Sequence, residues 1–293
     1  MGLFLLFIDG MGIGEKDAAT NPFVLAHTPN FASLADGCMV PTDATLGVEG
    51  LPQSATGQTA LFTGLNAPWF LNRHLNGFPN KRLRDLIMEN SLLKRLKDRG
   101  YRVTNCNAYR DEYVSQILGD NKPDKGSVLK SVTTVATLAA GIGLRTTKHL
   151  LRGRAVFHDI TNDILIKKGY RVPLSDENQA AHAIISLMKD YDFIFFEFFL
   201  TDIAGHGQQM DVCVDIIQLL DRFIGKIIKN VDLKKNLIII TSDHGNIEDI
   251  RVKTHTMNKV PTFLVGCGQD KLKGDIKSLT DIRPAIEKGL ALL

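Results

Sequence analysis

Six Asp and His residues of this chain, of types that can ligate metal ions, each lie beside an apolar run. Asp9 follows "LFLLFI" (3–8). Asp202 and His206, four residues apart in "TDIAGHG", follow "FIFFEFFL" (193–200). Asp243 and His244, adjacent in "TSDHGN", follow "NLIIIT" (236–241). His255 lies twelve residues after Asp243, just ahead of "VPTFLVG" (260–266). One Asp after a strand is an ordinary turn former, and one His is an ordinary structural residue. Three strands that each end on an Asp, with three histidines close by, are a candidate site. Six nitrogen and oxygen donors suit two borderline divalent ions such as Zn²⁺ or Mn²⁺.

Such ions need a group to act on. "GLPQSATGQTALFTG" (50–64) offers the Ser54 hydroxyl at the start of a short helix. Backbone N–H groups point outward there and favour anions. Ser54 or Thr56 could equally do no more than cap that helix. A serine is a poor nucleophile at neutral pH unless a base or a metal activates it. A metal on Asp243 and His244 would do so. Two divalent ions, three aspartates and one alkoxide sum to nearly zero charge. A phosphate dianion can then enter, and two metals can stabilise both ends of an in-line displacement.

The elements that must position these groups are legible as well. Unbroken apolar runs read as strands covered on both faces, as in a parallel sheet. Helices fall between them. Ser175 reads as the cap of "DENQAAHAIISLMKD". Residues 209–230 carry an apolar stripe at helical spacing, and Thr280 or Asp281 caps a last helix with Pro284 in its first turn. Alternating strands and helices predict a doubly wound, mostly parallel α/β sheet with helices on both faces. In such sheets ligands bind beyond the carboxyl ends of the strands, where the aspartates stand.

Residues 69–172 have a different character. They hold 20 Lys and Arg against 9 Asp and Glu, a net of +11, whereas the remainder holds 15 against 23, a net of −8. The segment contains one predicted helix, "KRLRDLIMENSLLKRLKDRG", ended by Gly100, then a polar loop "GDNKPDKGS" and a Thr/Ala-rich stretch. We read it as an inserted basic cap domain within a core of 1–68 and 173–293. A basic insertion fits a lid for an anionic substrate or a nucleic-acid surface. The four cysteines are widely spaced and read as small buried hydrophobes. The opening apolar run is too short to span a membrane. No membrane association is expected, and the expected location is the cytoplasm.

Taken in chain order, Asp9 in "DGMG", Ser54 in "SATGQ", Asp202 and His206 in "DIAGH", Asp243 and His244 in "DHGN", and His255 in "HT" resemble the alkaline phosphatase superfamily. The pattern looks closest to the branch of cofactor-independent phosphoglycerate mutase and phosphopentomutase. The resemblance covers about residues 1–68 and 173–293. It implies one metal on Asp9, Ser54, Asp243 and His244, and another on Asp202, His206 and His255. The ions would be Mn²⁺ or Zn²⁺, or else Mg²⁺. It also implies a transient phosphoserine at Ser54 and an inserted cap, which favours a small phosphorylated substrate over nucleic acid. The sequence departs from the mutase pattern. The histidine-rich and arginine-rich substrate motifs are absent, the cap is short, and Gln58 stands where a His is common. "SATGQ" does not fit the sulfatase signature. The expected activity is therefore phosphatase or phosphomutase, with phosphodiesterase or nucleotide pyrophosphatase, or a non-catalytic nucleotide or nucleic-acid binder, as alternatives. Arg73, Lys81 and Arg110 are the candidate substrate contacts of the basic segment.

Overall fold

The computed structural model describes residues 1–119 and 128–293. The polar loop expected at 119–127 lies, from residue 120 on, outside the described residues. The strands are β1 (Leu3–Ile8), β2 (Met39–Thr42), β3 (Val103–Asn105), β4 (Ala108–Tyr109), β5 (Arg145–Thr146), β6 (Phe193–Phe198), β7 (Leu237–Ser242) and β8 (Val260–Gly266). Six of them form one sheet in the order β2-β8-β7-β1-β6-β3, and β4 pairs with β5 in a small second sheet. β1 runs parallel to β6 and β7, and β3 parallel to β6, whereas β8 runs antiparallel to both β7 and β2. The expected mostly parallel α/β sheet is the observed one.

β1 shows why its sequence is apolar throughout. Successive side chains of a strand point to opposite faces. Phe4, Leu6 and Ile8 enter one core cluster with residues of the helices Glu177–Asp190 and Met210–Asn230. Leu3, Leu5 and Phe7 enter the other, with the helices Ser54–Thr63 and Ile282–Leu292. With helices on both faces, the strand has no solvent side to mark with polar residues.

Several boundaries differ from expectation. The predicted 81–99 helix is two helices, Lys81–Asn90 and Leu92–Asp98. Ser91 breaks it: its hydroxyl donates to the Ala136 carbonyl at 3.0 Å and caps the second helix. Asp176, not Ser175, caps the helix that follows it, accepting from the Gln179 amide at 2.8 Å. The apolar run after β6 overshoots the strand, because Leu200 already opens the helix Leu200–Gly207.

The charge asymmetry of 69–172 does not coincide with a change in packing. Ile87, Leu92, Leu93 and Leu96 bury into the same cluster as β1, and β3 is paired to β6. An amphipathic helix docks by its apolar stripe whatever charge its other face carries. What stands off the main sheet is the β4/β5 pair with Ala108, Ala155, Phe157 and Leu165 as its own small core. Of the cysteines, Cys106 and Cys213 are buried as expected, whereas Cys38 and Cys267 are partly exposed. Among the described residues no helix is long and apolar enough to cross a membrane.

Candidate metal centre

Three parallel strands deliver their carboxylates to one edge. Ile8 is level with Phe198 and with Ser242 across the sheet. Asp9 and Asp243 are each one residue beyond that line. Asp202 arrives on the first turn of the helix after β6, with His206 one turn later on the same face. β8 runs the other way, so the loop ahead of its first residue reaches this same edge and brings His255. The Thr256 amide donates to the Gly245 carbonyl at 3.0 Å, joining the two histidine loops. The His244 and His255 rings stack at 3.7 Å.

Ser54 comes from the opposite direction. It is the first residue of a buried helix whose N-cap, Gln53, makes no side-chain cap bond. Neither hydroxyl of this turn caps the helix: Thr56 donates back to the Gln53 carbonyl at 3.1 Å, and Ser54 Oγ lies 3.0 Å from His244 Nε2. The close approach depends on Gly57, where a Cβ would fall 2.8 Å from the Asp243 carbonyl oxygen.

All seven residues expected at the site therefore converge. One donor atom each from Asp9, Asp243 and His244 lie within 4.8 Å of one another, as do donors from Asp202, His244 and His255. His206 stands at the rim, its Nε2 3.3 Å from Asp202 Oδ2 and its ring 5.2 Å from that of His255.

The three imidazoles are oriented alike. His206 Nδ1 lies 2.7 Å from the Lys253 carbonyl oxygen, His255 Nδ1 2.8 Å from that of Pro52, and His244 Nδ1 3.3 Å from that of Gly245. A carbonyl only accepts, so each Nδ1 carries a proton, and each Nε2 turns toward an aspartate. This is how ligating histidines are held in their tautomer.

The electrostatics call for a cation. Burial raises the pKa of Asp9 and of Asp243, against the opposing pull of the His244 charge. Burial alone would lower the pKa of His244, but Asp243 and Asp9 push it up to about 10. Burial, and then the charge of His244, depress His255 to about 4. Asp9 Oδ1 is buried without a hydrogen bond, its nearest cationic atom being His244 Nε2 at 3.1 Å. Buried carboxylates this close need positive charge between them, and a divalent ion fits the donor set.

Other residues support the site; of these the sequence singled out Gln58 alone, and only as a departure from the mutase pattern. Gln58 donates to Asp9 Oδ2 and Asp243 Oδ2, each at 3.1 Å, bridging the two carboxylates. Asn246 donates to Asp202 Oδ1 at 2.6 Å. Glu248 is fully buried and gathers four donors: the amides of Gly12 and Asn246, the Thr256 hydroxyl and the Asn258 amide. It thereby ties the loops after β1 and β7 to the loop before β8. The one available signal was its nearness to "DHGN"; a loop carboxylate otherwise reads as solvated.

Beside Ser54 lies a cavity of about 490 Å³, lined by Asp9, Asp202, Gln58 and Glu197 and by residues 107–110, Ser131, Thr134, Phe157 and His158. Asn107 anchors this lining. Its side-chain amide exchanges two hydrogen bonds of 2.8 Å with the Glu197 backbone, standing in for a neighbouring strand. Of the three basic residues expected to contact substrate, Arg110 lines the cavity. Lys81 is largely exposed and pairs with Asp85, and Arg73 is exposed in the turn after the helix Ala67–Leu71; neither lines it.

The profile of the metalloenzyme superfamily matches residues 1–292. The chain belongs to that superfamily. Among its relatives, 2,3-bisphosphoglycerate-independent phosphoglycerate mutase of Pyrococcus abyssi is 38% identical over 94 residues, which is 32% of this chain and 22% of the relative. The enzyme of the same name from Pyrococcus furiosus is 34% identical over 116 residues, 40% of this chain and 27% of the relative. The matched stretch thus spans about a quarter of these relatives. Two solved structures share the fold over the whole chain. The PH0037 protein from Pyrococcus horikoshii has a TM-score of 0.63 at 18% identity, covering 100% of this chain and 97% of the other. Alkaline phosphatase from the Antarctic bacterium TAB5 has a TM-score of 0.55 at 14% identity, covering 100% and 98%. The superfamily's description and the donor set agree on a metal-binding protein.

Proposed function

We propose that this chain is a divalent-metal-dependent phosphoryl-transfer enzyme that acts on a small phosphorylated metabolite through Ser54. The observation that carries the reading is the shared orientation of His206, His244 and His255. Each gives Nδ1–H to a backbone carbonyl and turns Nε2 toward an aspartate. Asp9, Asp243, His244 and Ser54 would hold one ion, and Asp202, His206 and His255 the other, with Mn²⁺, Zn²⁺ or Mg²⁺ as the metal. When bound, two such ions supply Lewis acidity to the phosphate oxygens and acidify the serine hydroxyl.

The protein's own contributions follow from the geometry. The helix Ser54–Thr63 presents its free N-terminal amides and Ser54 Oγ to the cavity, a setting for a phosphate. Ser54 loses its proton as its Oγ–P bond forms and the ester P–O bond breaks, and the departing alkoxide takes up a proton. Water or a second hydroxyl later takes the phosphoryl group and restores the serine. Gln58 holds Asp9 and Asp243 apart at a fixed spacing, and Arg110 is the cavity's guanidinium for a phosphate oxygen. Residues 107–110, Ser131, Thr134, Phe157 and His158, all from the expected cap segment 69–172, line the cavity beside these groups.

The test is metal-stripped protein reloaded with Mn²⁺, Zn²⁺ or Mg²⁺ and given p-nitrophenyl phosphate and a panel of phosphate esters, with released and transferred phosphate both followed. Ser54→Ala is expected to abolish turnover and to keep the bound metal. Full turnover in that variant, or purified protein that takes up no divalent ion, would end the proposal.

A further inference from the structure

Most residues that line the cavity lie outside the reacting centre, and they are unlike a site for a phosphorylated hydroxy acid. Among the described residues that line the cavity, Arg110 is the one Lys or Arg, alongside three carboxylates, Asp9, Asp202 and Glu197. Other arginines of the basic segment are committed elsewhere. Arg145 donates to Thr104 Oγ1, to the Asn105 and Arg154 carbonyls and to the Tyr191 hydroxyl, and Arg154 pairs with Asp190. A substrate carrying a carboxylate beside its phosphate would meet one guanidinium and a buried carboxylate. The walls are aromatic instead. Tyr109 and Tyr113 stack at 5.8 Å and 11°. His158 lies against Phe157 at 4.1 Å and Phe199 at 4.3 Å. Burial, and then the charges of Arg110 and Lys168, hold this imidazole down at about 4, so the second stack is uncharged at neutral pH.

Glu197 lines the same cavity as these aromatic residues and Asp9. It is the one charged residue of β6 and is 7% exposed. Thr133 Oγ1 donates to its Oε2 at 2.5 Å, while Oε1 has no hydrogen-bond partner among the described residues, and Glu197 lines the cavity. A carboxylate with one oxygen anchored and one offered to a cavity recognises an N–H donor. Flat rings stack on aromatic side chains, and a cavity of this volume holds a ligand of nucleotide size.

Building on the phosphoryl-transfer reading, we propose that the substrate's leaving group carries a planar ring with N–H donors, as in an amino-bearing nucleoside monophosphate. Glu197 selects that group and the two aromatic stacks flank it. Glu197 is a specificity residue in this account and takes no part in the transfer.

The ring pocket is read by itself with adenosine, which has no phosphate, in titration calorimetry on the Mn²⁺-loaded protein. Adenosine should bind, and purine riboside, which lacks the exocyclic amine, about tenfold or more weakly. Glu197→Gln should close most of that gap, while Ser54→Ala should leave it in place. Equal affinity for the two nucleosides, or no adenosine binding at millimolar concentration, overturns the inference, and the wild-type comparison needs no variant to fold. Turnover separates the two proposals. Adenosine monophosphate should exceed 3-phosphoglycerate in kcat/KM by about tenfold or more. If p-nitrophenyl phosphate is hydrolysed with no such preference, the ring pocket is wrong and phosphoryl transfer stands. If adenosine binds as predicted and no ester turns over, the pocket stands and the transfer reading fails.

Discussion

Replacing Glu197 by Gln in the metal-free protein should make stability depend on pH in a calculable way. Burial raises the pKa of this carboxyl, the Thr133 hydrogen bond opposes the rise, and the charge of Asp9 adds to it, which takes the group from its ordinary 4.5 to about 7. A raised folded-state pKa means that the folded chain binds this proton more tightly than the unfolded chain does. The favourable contribution is complete below 4.5 and is lost as pH rises through 7. At about 1.4 kcal/mol per pH unit between the two values, the loss is about 3 kcal/mol. Gln keeps an oxygen to accept from Thr133 and has nothing to ionise, so the variant lacks this dependence. Urea unfolding of both proteins at pH 4.5 and pH 8, at fixed ionic strength, isolates the effect, because every other titrating group is common to both. The stability of Glu197→Gln relative to wild type should rise by about 3 kcal/mol between the two pH values. A difference that stays constant to within about 0.5 kcal/mol would refute the reasoning, since it would mean that Glu197 keeps its solvent in the folded chain.

Further predictions concern the metal centre and the cavity. Asn246→Ala removes the donor that holds Asp202 Oδ1 and should weaken divalent-ion binding about 10- to 100-fold in titration calorimetry; unchanged affinity would remove Asn246 from the site's support. Gly10 has φ +72°, and a Cβ there would lie 3.0 Å from the Asp202 Cα, so Gly10→Ala should destabilise the protein by more than about 1 kcal/mol in urea unfolding. A Gly10→Ala protein as stable as wild type would show that the β1 loop relaxes freely. Arg110→Ala should raise KM for a phosphate monoester about tenfold or more, whereas Arg73→Ala and Lys81→Ala should stay within about twofold. The opposite order would place the substrate outside the cavity.

The fold class and most of the candidate metal ligands were legible because both are written in neighbouring residues. A strand buried on both faces must be apolar throughout, and the polar residue that ends it marks the edge where the site forms. Asp9 and Asp243 are therefore found by reading along the chain, as is the i, i+4 pair Asp202 and His206. The rest depends on relations through space. His255 was also named from the sequence, by its place ahead of an apolar run, but why it reaches the common edge was not: β8 runs antiparallel, a direction that its apolar composition does not encode. Gln58 and Glu248 act by joining segments remote in sequence, Gln58 the carboxylates after two strands and Glu248 three loops. Nothing in their local sequence distinguishes them from a helix residue and a loop acid. The net charge of 69–172 was visible, but where that charge points was not. The apolar stripes of its helices decided the packing, leaving Arg110 at the cavity and Lys81 in solvent. Glu197, a lone acid in "FIFFEFFL", likewise acquired meaning only when the Thr133 hydroxyl and the aromatic walls closed around it. Local sequence determines which face of an element is buried; which groups meet across elements is decided by strand direction and packing.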